Sequence, residues 1–254
     1  MKAAYPILEF DPAHEALINP RRISKKIEIP EYCVLCFFDE VIAKLSQQGM
    51  AQKIARQMTA MGSHPVFKLE FEGKAITLFH PGVCAPLCAA MLEELVARGC
   101  NKFIACGGAG VLDSSIAVSE IVVPTVAVRD EGTSYHYLPP CREVEASPDA
   151  VAAIETILKK HKITYRCAKT WTTDAIYRET PAKIQLRKKE GCSVVEMEAA
   201  AFFAVAKFRN VKFGQILYGG DDVGGEVWQS RNWTKETTTR EKLFWLAAEA
   251  CLAI

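Results

Sequence analysis

The sequence predicts a single α/β domain. Apolar runs of strand length alternate with segments of helical periodicity along most of the 254 residues. Half of the residues are hydrophobic, which is enough for one large core. No internal repeat, linker or low-complexity segment divides the sequence. We expect residues 31–254 to form the domain, and residues 1–30 to form an N-terminal extension that packs on it or on a neighbouring subunit.

Each predicted element follows from a local pattern. Continuous apolar runs predict strands, and two runs that flank Gly73 predict a hairpin. Apolar residues at helical spacing predict helices, one closed by Gly99 and one opened by Ser147-Pro148. The predicted strands cover residues 32–38, 66–72, 74–80, 102–107, 120–128, 164–172, 193–198 and 211–220. The predicted helices begin near Asp39 and cover residues 85–98, 147–161, 181–190, 199–208 and 237–253.

Composition limits the class of partner. Thirty-one Lys and Arg residues nearly cancel 30 Asp and Glu residues, so we expect no strong field for nucleic acid or for an anionic membrane. The partner is then a small molecule or another copy of the chain. Polar residues and Pro6 interrupt the N-terminal apolar residues, which is atypical of a signal peptide. Ten cysteines, often inside apolar runs, indicate reduced thiols and a cytoplasmic protein.

Four predicted strands end in small or polar residues that a soluble core does not need, and ligand sites in α/β proteins favour such strand ends. The first stretch contains Gly107, Gly108 and Gly110, which let backbone amides approach an anion or a sugar closely. A tight turn is the alternative. In the second stretch Glu196 and Glu198 are two residues apart, so an extended backbone places them on one face. Their carboxylates suit the vicinal hydroxyls of a ribose, although a helix N-terminus also attracts glutamate.

The other two stretches carry acids and aromatic residues. Asp221 and Asp222 follow a predicted buried strand, and the charge of one could keep the other protonated as a general acid. An ordinary acidic turn explains the same pattern. Tyr177 and Arg178 could stack on a base and hydrogen-bond to it, or Arg178 could simply pair with Glu179.

Five segments together resemble the nucleoside phosphorylase family, closest to its uridine phosphorylase-like members. They are GGAGVL, VPTVAVRDEGTSYHY, TTDAIYRET, VEMEAAAFFAVA and YGGDDV, which recur in order and spacing from about residue 30 to the C-terminus. The resemblance implies a mixed central β-sheet flanked by helices and a homo-oligomer, either a dimer or a trimer of dimers. It also implies that no organic cofactor is used and that inorganic phosphate is the co-substrate.

The resemblance assigns roles to individual residues. Met197 and Glu198, with Glu196 beside them, would hold the ribose, and Asp221 would protonate a purine leaving group. The base pocket would be lined by Thr173, Asp174, Ile176, Tyr177 and Arg178. An intact Asp221 favours a purine, whereas resemblance to uridine phosphorylases favours a pyrimidine, so the base stays open.

The sequence departs from the family at the phosphate site. The three arginines that family phosphorylases place around phosphate fall here on Val41, on Ala105 and near Gly62. Backbone amides of Gly107 and Gly108 could supply part of the lost binding energy. The rest would come from Arg21, Arg22, Arg129 or a neighbouring subunit.

A hydrolytic reaction is the close alternative to phosphorolysis. The segment FFDEV is similar to the EEEV turn of the family's nucleosidases, where a glutamate orients the attacking water, and Glu40 takes that position. Water needs a carboxylate base rather than an arginine cradle. Glu40 could also merely begin a helix, where acids are common. A nucleoside-binding protein without catalysis is the third possibility. We expect no metal site, because Cys33 and Cys36 would face opposite sides of a strand.

Overall fold

A computed structural model describes residues 2–23 and 29–254. Its strands are β1 Tyr32–Cys36, β2 Ala51–Thr59, β3 Gly62–Phe71, β4 Lys74–Phe79, β5 Lys102–Val111, β6 Ile121–Asp130, β7 Glu143–Glu145, β8 Tyr165–Thr173, β9 Cys192–Glu196 and β10 Lys212–Asp222. Its helices are α1 Pro20–Ile23, α2 Asp39–Gln47, α3 Ala85–Ala97, α4 Pro148–Lys160, α5 Pro181–Lys189, α6 Ala199–Arg209 and α7 Thr237–Leu252. The predicted α/β class is confirmed.

The strands form one mixed sheet in the order β10-β6-β8-β9-β5-β1-β4-β3-β2, with β7 paired to β6. Strands β1, β4, β5 and β10 are parallel, and β6, β8 and β9 are parallel to one another. The two sets meet in antiparallel pairings of β10 with β6 and of β5 with β9. A further pairing of β10 with β5 closes five strands into a ring. The mixed sheet expected from the family resemblance is therefore present.

Apolar side chains pack on both faces of this sheet. Strand β1 shows the alternation: Val34 and Cys36 join the core beneath α2, α4 and α7, while Cys33 and Leu35 join the core beneath α3 and α6. The two cysteines thus face opposite sides, as the two-residue period of a strand requires. Among the described residues, no three His, Cys, Asp or Glu side chains are grouped as metal ligands would be.

Local sequence signals set the helix ends. Ser147 precedes Pro148 at the start of α4, and the Thr180 hydroxyl accepts a hydrogen bond from the Lys183 amide (3.4 Å) at the start of α5. Helix α6 ends where Asn210 takes a left-handed conformation (φ 55°), which asparagine tolerates better than most residues. These boundaries match the predicted ones within about two residues.

Two strands were not predicted. Strand β2 carries few apolar residues and has only one strand neighbour, β3. Side chains at its exposed positions need not be apolar, so the residues of β2 do not show the alternation of apolar and polar side chains that predicts a strand. Strand β7 has three residues, too few to show a period.

The described part of the N-terminal extension contacts the end of α6. The His14 ring stacks on Phe208 with a centroid separation of 4.5 Å, and the His14 carbonyl accepts a hydrogen bond from Arg209 Nη1 (2.8 Å). Residues 1 and 24–28 of the predicted extension lie outside the described residues. None of the helices described here has the length and apolar character that a membrane crossing requires.

Candidate functional site

Four strand ends converge on the second half of β5. Cys36 at the end of β1 is paired with Cys106, and Val195 near the end of β9 is paired with Gly110. On the other edge of β5, Gly219 of β10 is paired with Ala109. The carboxyl ends of the two parallel strand sets therefore meet here, because the sets run in opposite directions. Three of the four predicted stretches lie at this point, and the fourth, after β8, reaches it through the pairing of Thr172 with Glu196.

The glycines of the first stretch do not form a turn, because β5 continues through them to Val111. A Cβ on Gly107 would lie 3.1 Å from the Phe37 ring, and one on Gly108 would lie 3.2 Å from the Tyr218 ring. Both contacts are tighter than an ordinary packing contact, so these positions need glycine to accommodate the two aromatic rings. The predicted close approach of the backbone is present, but its neighbours in the structure are protein side chains.

Between Cys106 and Gly110, one edge of β5 has no strand partner among the described residues. The Cys106 carbonyl on this edge accepts a hydrogen bond from the Phe37 amide (3.1 Å). Backbone groups alternate between the two edges of a strand, so the N–H of Gly108 points to the same edge. Gly108 is also exposed to solvent. It therefore presents a backbone donor at the point where the strand ends meet.

The Glu196 side chain is hydrogen-bonded within the protein. Its Oε1 accepts hydrogen bonds from the hydroxyls of Thr172 (2.6 Å) and Thr170 (3.2 Å). Its Oε2 accepts from the backbone amides of Glu198 (2.7 Å) and Ala199 (2.5 Å). Four donors occupy both oxygens, so this side chain holds the start of α6; the expected contact of Glu196 with a ribose stays a prediction. The extended backbone on which that prediction depended ends at Glu196, because the chain turns there into the helix.

Glu198 lies just before α6 and is buried, with Met197 partly buried beside it. Its Oε1 accepts a hydrogen bond from the Cys84 amide (2.7 Å). Burial raises the pKa of the Glu198 carboxyl, and the neighbouring charge of Glu196 raises it further. The donors around Glu196 stabilise its charged form, so the proton of this pair belongs on Glu198 in the unliganded protein. Ligand hydroxyls that donate hydrogen bonds to Glu198 would favour its ionised form. A buried carboxyl with few protein donors is suited to binding hydroxyl groups of a ligand.

Cys84, whose amide donates to this carboxyl, has a strained backbone conformation. Its φ of 77° and ψ of 142° lie in a region that glycine adopts far more readily than other residues. We expect Cys84→Gly to be more stable than Cys84→Ala by about 1 kcal/mol, because only glycine relieves the strain while both variants lose the thiol. Urea unfolding of the two variants measures this difference. Equal stability, or a more stable alanine variant, would contradict the assignment of strain.

The base segment, residues 173–178, forms the rim of the site. Thr173 is buried, and its hydroxyl accepts a hydrogen bond from the Ala175 amide (3.2 Å). Asp174 Oδ2 accepts from the Gly132 amide (2.8 Å). Burial raises the pKa of the Cys84 thiol, and the charges of Glu198 and Asp174 raise it further. The segment therefore lies beside the ribose candidates. Ile176, Tyr177 and Arg178 are exposed in a short 3₁₀ turn, and the Tyr177 side chain is 96% accessible.

The two adjacent aspartates have different environments. Asp222 is buried and contacts Arg231, and it accepts hydrogen bonds from the Ser114 hydroxyl (3.1 Å) and the Gly224 amide (2.8 Å). Asp221 is partly buried, and its Oδ2 accepts from the indole N–H of Trp228 (2.6 Å). Arg231 forms an ion pair with Asp222, so the two aspartates have different partners; the idea that one keeps the other protonated stays a prediction. Asp221 Oδ1 lies 3.6 Å from the position of a Cβ on Gly110 of β5.

Glu40 lies in the first turn of α2, beyond the end of β1. Its Oε1 accepts a hydrogen bond from Arg240 Nη1 of α7 (2.7 Å), and its side chain is 44% exposed. The Arg240 side chain is only 12% exposed and also donates from Nε to the Tyr218 hydroxyl (3.1 Å). The Tyr218 hydroxyl lies 3.4 Å from the position of a Cβ on Gly108. A partly buried arginine of α7 therefore approaches Gly108 through Tyr218, and no pattern in the sequence indicated it.

Of the arginines considered from the sequence, Arg129 is hydrogen-bonded within the protein. Arg129 is buried, and its guanidinium donates to the Ser134 hydroxyl (2.8 Å) and to the carbonyls of Pro139 (2.8 Å) and Leu138 (3.2 Å). It is not available to a ligand. Arg21 and Arg22 lie in α1 and are exposed.

A cavity of about 550 Å³ adjoins the site between α2 and the β3–β4 hairpin. Asp39 and Ser46 line it from α2, and His64 and His80 line it from the strands. The His80 ring contacts Phe37 edge-on at a centroid distance of 6.2 Å. Burial lowers the pKa of His80, which favours its neutral form.

Known proteins resemble this chain in sequence and in fold. A guanosine phosphorylase of Halorubrum lacusprofundi is 29% identical over 146 residues, which is 57% of this chain and 60% of that protein. A uridine phosphorylase of Thermococcus kodakarensis is 29% identical over 112 residues, 42% of this chain and 39% of that protein. The chain thus spans less than two thirds of the length of these two relatives.

A solved structure has the same fold over most of its length. The purine nucleoside phosphorylase of Toxoplasma gondii superimposes with a TM-score of 0.76 at 20% identity, covering 90% of this chain and 92% of that one. The family model described as the phosphorylase superfamily matches residues 31–250. By this match, which covers nearly the whole domain, the chain belongs to the phosphorylase superfamily.

Proposed function

We propose that this protein cleaves the N-glycosidic bond of a nucleoside by phosphorolysis, giving a free base and ribose or deoxyribose 1-phosphate. One observation carries the proposal: Glu198, a buried carboxyl with a raised pKa, follows β9. In the sheet β9 lies between β5, which has the unpaired edge, and β8, which precedes the exposed aromatic segment. The three parts suit a sugar, an anion and a base in that order. Membership of the phosphorylase superfamily and the names of the two relatives support the same reaction.

The sugar would be held by Glu198 and Met197. As the bond to the base lengthens, positive charge develops on the ribose ring, as in other glycoside cleavage. A carboxylate that accepts hydrogen bonds from the ribose hydroxyls stabilises that charge, and the interaction strengthens in the transition state. Glu196 would act only by fixing the backbone of Glu198, since its two oxygens are already bonded.

The base would lie against the segment 173–178. Tyr177 offers an exposed ring for stacking, and Arg178 offers an exposed guanidinium. Asp221 would donate a proton to the departing base. A purine has a ring nitrogen that accepts this proton, whereas a pyrimidine has no equivalent atom, so we propose a purine nucleoside as the substrate.

The phosphate would bind where the strand edge of β5 is unpaired. We propose that the Gly108 amide and the Tyr218 hydroxyl contact it and that Arg240 supplies the positive charge. The supporting observation is the chain of contacts from Gly108 through Tyr218 to Arg240. Phosphate would exchange with Glu40 as the partner of Arg240. This arrangement replaces the three family arginines that the sequence lacks.

Hydrolysis remains the second candidate, since Glu40 lies at the end of β1 beside the site. Its pairing with Arg240 counts against it, because Glu40 Oε1 already accepts a hydrogen bond from Arg240 Nη1 (2.7 Å). If Glu40 does activate water, no phosphate is required.

Base release with and without phosphate tests the proposal. Purine and pyrimidine nucleosides are incubated with the protein in buffers that contain or lack inorganic phosphate, and products are separated by chromatography. We expect purine release only with phosphate, together with ribose 1-phosphate. Equal release without phosphate, with free ribose, would establish hydrolysis. Nucleoside binding without any base release would establish a binding protein.

We also propose a homo-oligomer in the cytoplasm, with no organic cofactor. Exposed apolar side chains near the site, such as Val83, Ile176 and Trp228, suit a subunit interface. All ten cysteines are free thiols, as is usual in a reducing compartment.

A further inference from the structure

A second cavity, of about 390 Å³, is lined by residues that the reaction described above does not use. Strand β6 supplies Arg129 and Asp130 to its lining, the loop before β7 supplies Arg142, and α5 supplies Arg187. Leu8 of the N-terminal extension lines it as well. The volume is within the usual range of small-molecule sites. Three of these five side chains are arginines and only one is an acid, so the lining is suited to an anion.

Two acids beside this cavity are each shared between two cations. Asp130 Oδ2 contacts Arg187 Nη2 (2.8 Å) and Lys183 Nζ (3.2 Å). Glu190 Oε2 contacts Arg187 Nη1 (3.0 Å), and Glu190 Oε1 contacts Arg142 Nη2. Three cations therefore share two carboxylates.

Arg129 adds a fourth positive charge, although it is only 4% exposed. Its hydrogen-bond acceptors are the Ser134 hydroxyl, the carbonyls of Pro139 and Leu138, and the Cys141 sulfur. The Ser134 hydroxyl donates in turn to Glu131, but burial raises the pKa of Glu131, which disfavours its charge. No carboxylate of the described residues pairs with Arg129 directly. Because a buried charge normally has a counter-ion, Arg129 favours an anion in the cavity that it lines.

The other two arginines have donors that the protein does not use. Arg187 is 6% exposed, yet its Nε has no hydrogen-bond partner among the described residues. A buried N–H without an acceptor is unfavourable, because it has lost its hydrogen bonds to water. Arg142 is exposed, and its one hydrogen bond within the described part of the chain goes to Glu190. Guanidinium groups with unused donors bind phosphate oxygens well, since each presents a planar set of N–H groups.

We propose that this cavity binds a phosphate group, which Arg142 and Arg187 contact and which the charge of Arg129 attracts. A phosphate group carries about 1.5 to 2 negative charges near neutral pH, so it matches the excess of positive charge better than a carboxylate does. The group is either inorganic phosphate or part of a phosphorylated small molecule, for which the cavity has room. This site shares no residue with the phosphate site proposed at Gly108, and the inference does not rest on the proposed function.

The first test measures binding in Arg240→Gln, which lacks the arginine of the phosphate site proposed for the reaction. Inorganic phosphate, ribose 5-phosphate and ribose are titrated into this variant at constant ionic strength, and calorimetry gives each Kd. We expect at least one of the two phosphates to bind and ribose not to bind. The phosphate with the lower Kd identifies the source of the group. Adding Arg142→Gln should raise that Kd at least about tenfold, because a charge-assisted hydrogen bond is lost.

Two further variants in the same background separate a built site from general attraction. Arg166→Gln is the matched control, because Arg166 also pairs with two acids, and it should leave the Kd within about twofold. Glu190→Gln has the opposite effect: it removes the negative charge that Arg142 and Arg187 share, so the phosphate should bind more tightly. The proposal would be overturned by the absence of binding of both phosphates. Equal Kd values in the Arg142→Gln and Arg166→Gln variants, or weaker binding in Glu190→Gln, would overturn it as well.

The second test uses stability and requires no activity. A ligand that binds only the folded state raises the Tm, and the rise grows with its concentration. The Tm of Arg240→Gln should therefore rise with added phosphate ligand when chloride keeps the ionic strength constant. The rise should be largely lost when Arg142→Gln is added, and an equal rise in both proteins would contradict the proposed site. Since neither test needs nucleoside cleavage, an inactive protein that shows these results would overturn the proposed function alone.

Discussion

Replacing Glu198 with glutamine is expected to reduce the rate of nucleoside cleavage by about 100-fold. Glutamine keeps an oxygen that can accept the hydrogen bond of the Cys84 amide (2.7 Å), so the local structure should persist. What is lost is the negative charge that stabilises the ribose as its bond to the base breaks. Steady-state kinetics on a purine nucleoside measure the loss, which should appear in kcat rather than only in KM.

Stability separates this catalytic loss from damage to the fold. The pKa of Glu198 is raised in the folded protein, first by burial and then by Glu196. The unfolded chain ionises near the ordinary value of 4.5, so the unmodified protein loses stability as the pH rises above that value. Glu198→Gln lacks this ionisation and should be at least as stable as the unmodified protein at about pH 8. Below about pH 4.5 the two should be equal.

A Glu198→Gln variant that is stable and fully active would remove Glu198 from the site. A variant that is inactive and also unstable at every pH would assign Glu198 to the fold instead. Thermal unfolding across this pH range distinguishes these results from the expected one.

Replacing Arg240 with glutamine is expected to raise the KM for phosphate by roughly 10- to 100-fold. A charge-assisted hydrogen bond to an anion contributes about 1.5–3 kcal/mol. Arg240 is a partly buried cation that contacts Tyr218, which in turn lies beside Gly108. The KM for the nucleoside should change little, because the ribose and base contacts lie on other strands. Initial rates at varied phosphate and fixed nucleoside concentration give the result.

Two further variants make this experiment decisive. Arg166→Gln also removes an arginine that pairs with acids, Glu120 and Asp113, and it should leave the KM for phosphate unchanged. Glu40→Gln frees Arg240 from its ion pair and should preserve or improve phosphate binding. If Glu40→Gln instead abolishes base release while Arg240→Gln does not alter phosphate dependence, Glu40 activates water and the reaction is hydrolysis.

Most of the fold could be predicted from local patterns. The helices from Ala85 and Thr237 match their predicted bounds within one residue. The strand that begins at Lys102 was predicted to end at residue 107 but continues to Val111. Strand β2 could not be predicted, because a strand with few buried positions carries almost no period. The glycines at 107 and 108 suggested a turn, yet they continue a strand beside two aromatic rings that the sequence places far away.

Part of the candidate site was also visible in the sequence. The acids at 198 and 221 and the segment 173–178 were selected because each follows a strand, and the carboxyl ends of strands meet at one edge of an α/β sheet. That rule holds here, where β1, β9 and β10 all end beside β5. The rule predicts where each residue lies but not which hydrogen bonds its side chain makes.

Those bonds were decided by tertiary structure. Glu196 and Glu198 look equivalent in the sequence, but two threonines from β8 and two amides of the turn saturate Glu196 and leave Glu198 as the ligand candidate. The same holds for the neighbouring aspartates, where Arg231 neutralises Asp222 alone. The sequence by itself determined the class, the family and the strand ends that carry the site, because these depend on patterns within short segments. Which carboxylate is free and which arginine approaches the glycines depend on contacts between distant segments, and only the folded chain brings those together.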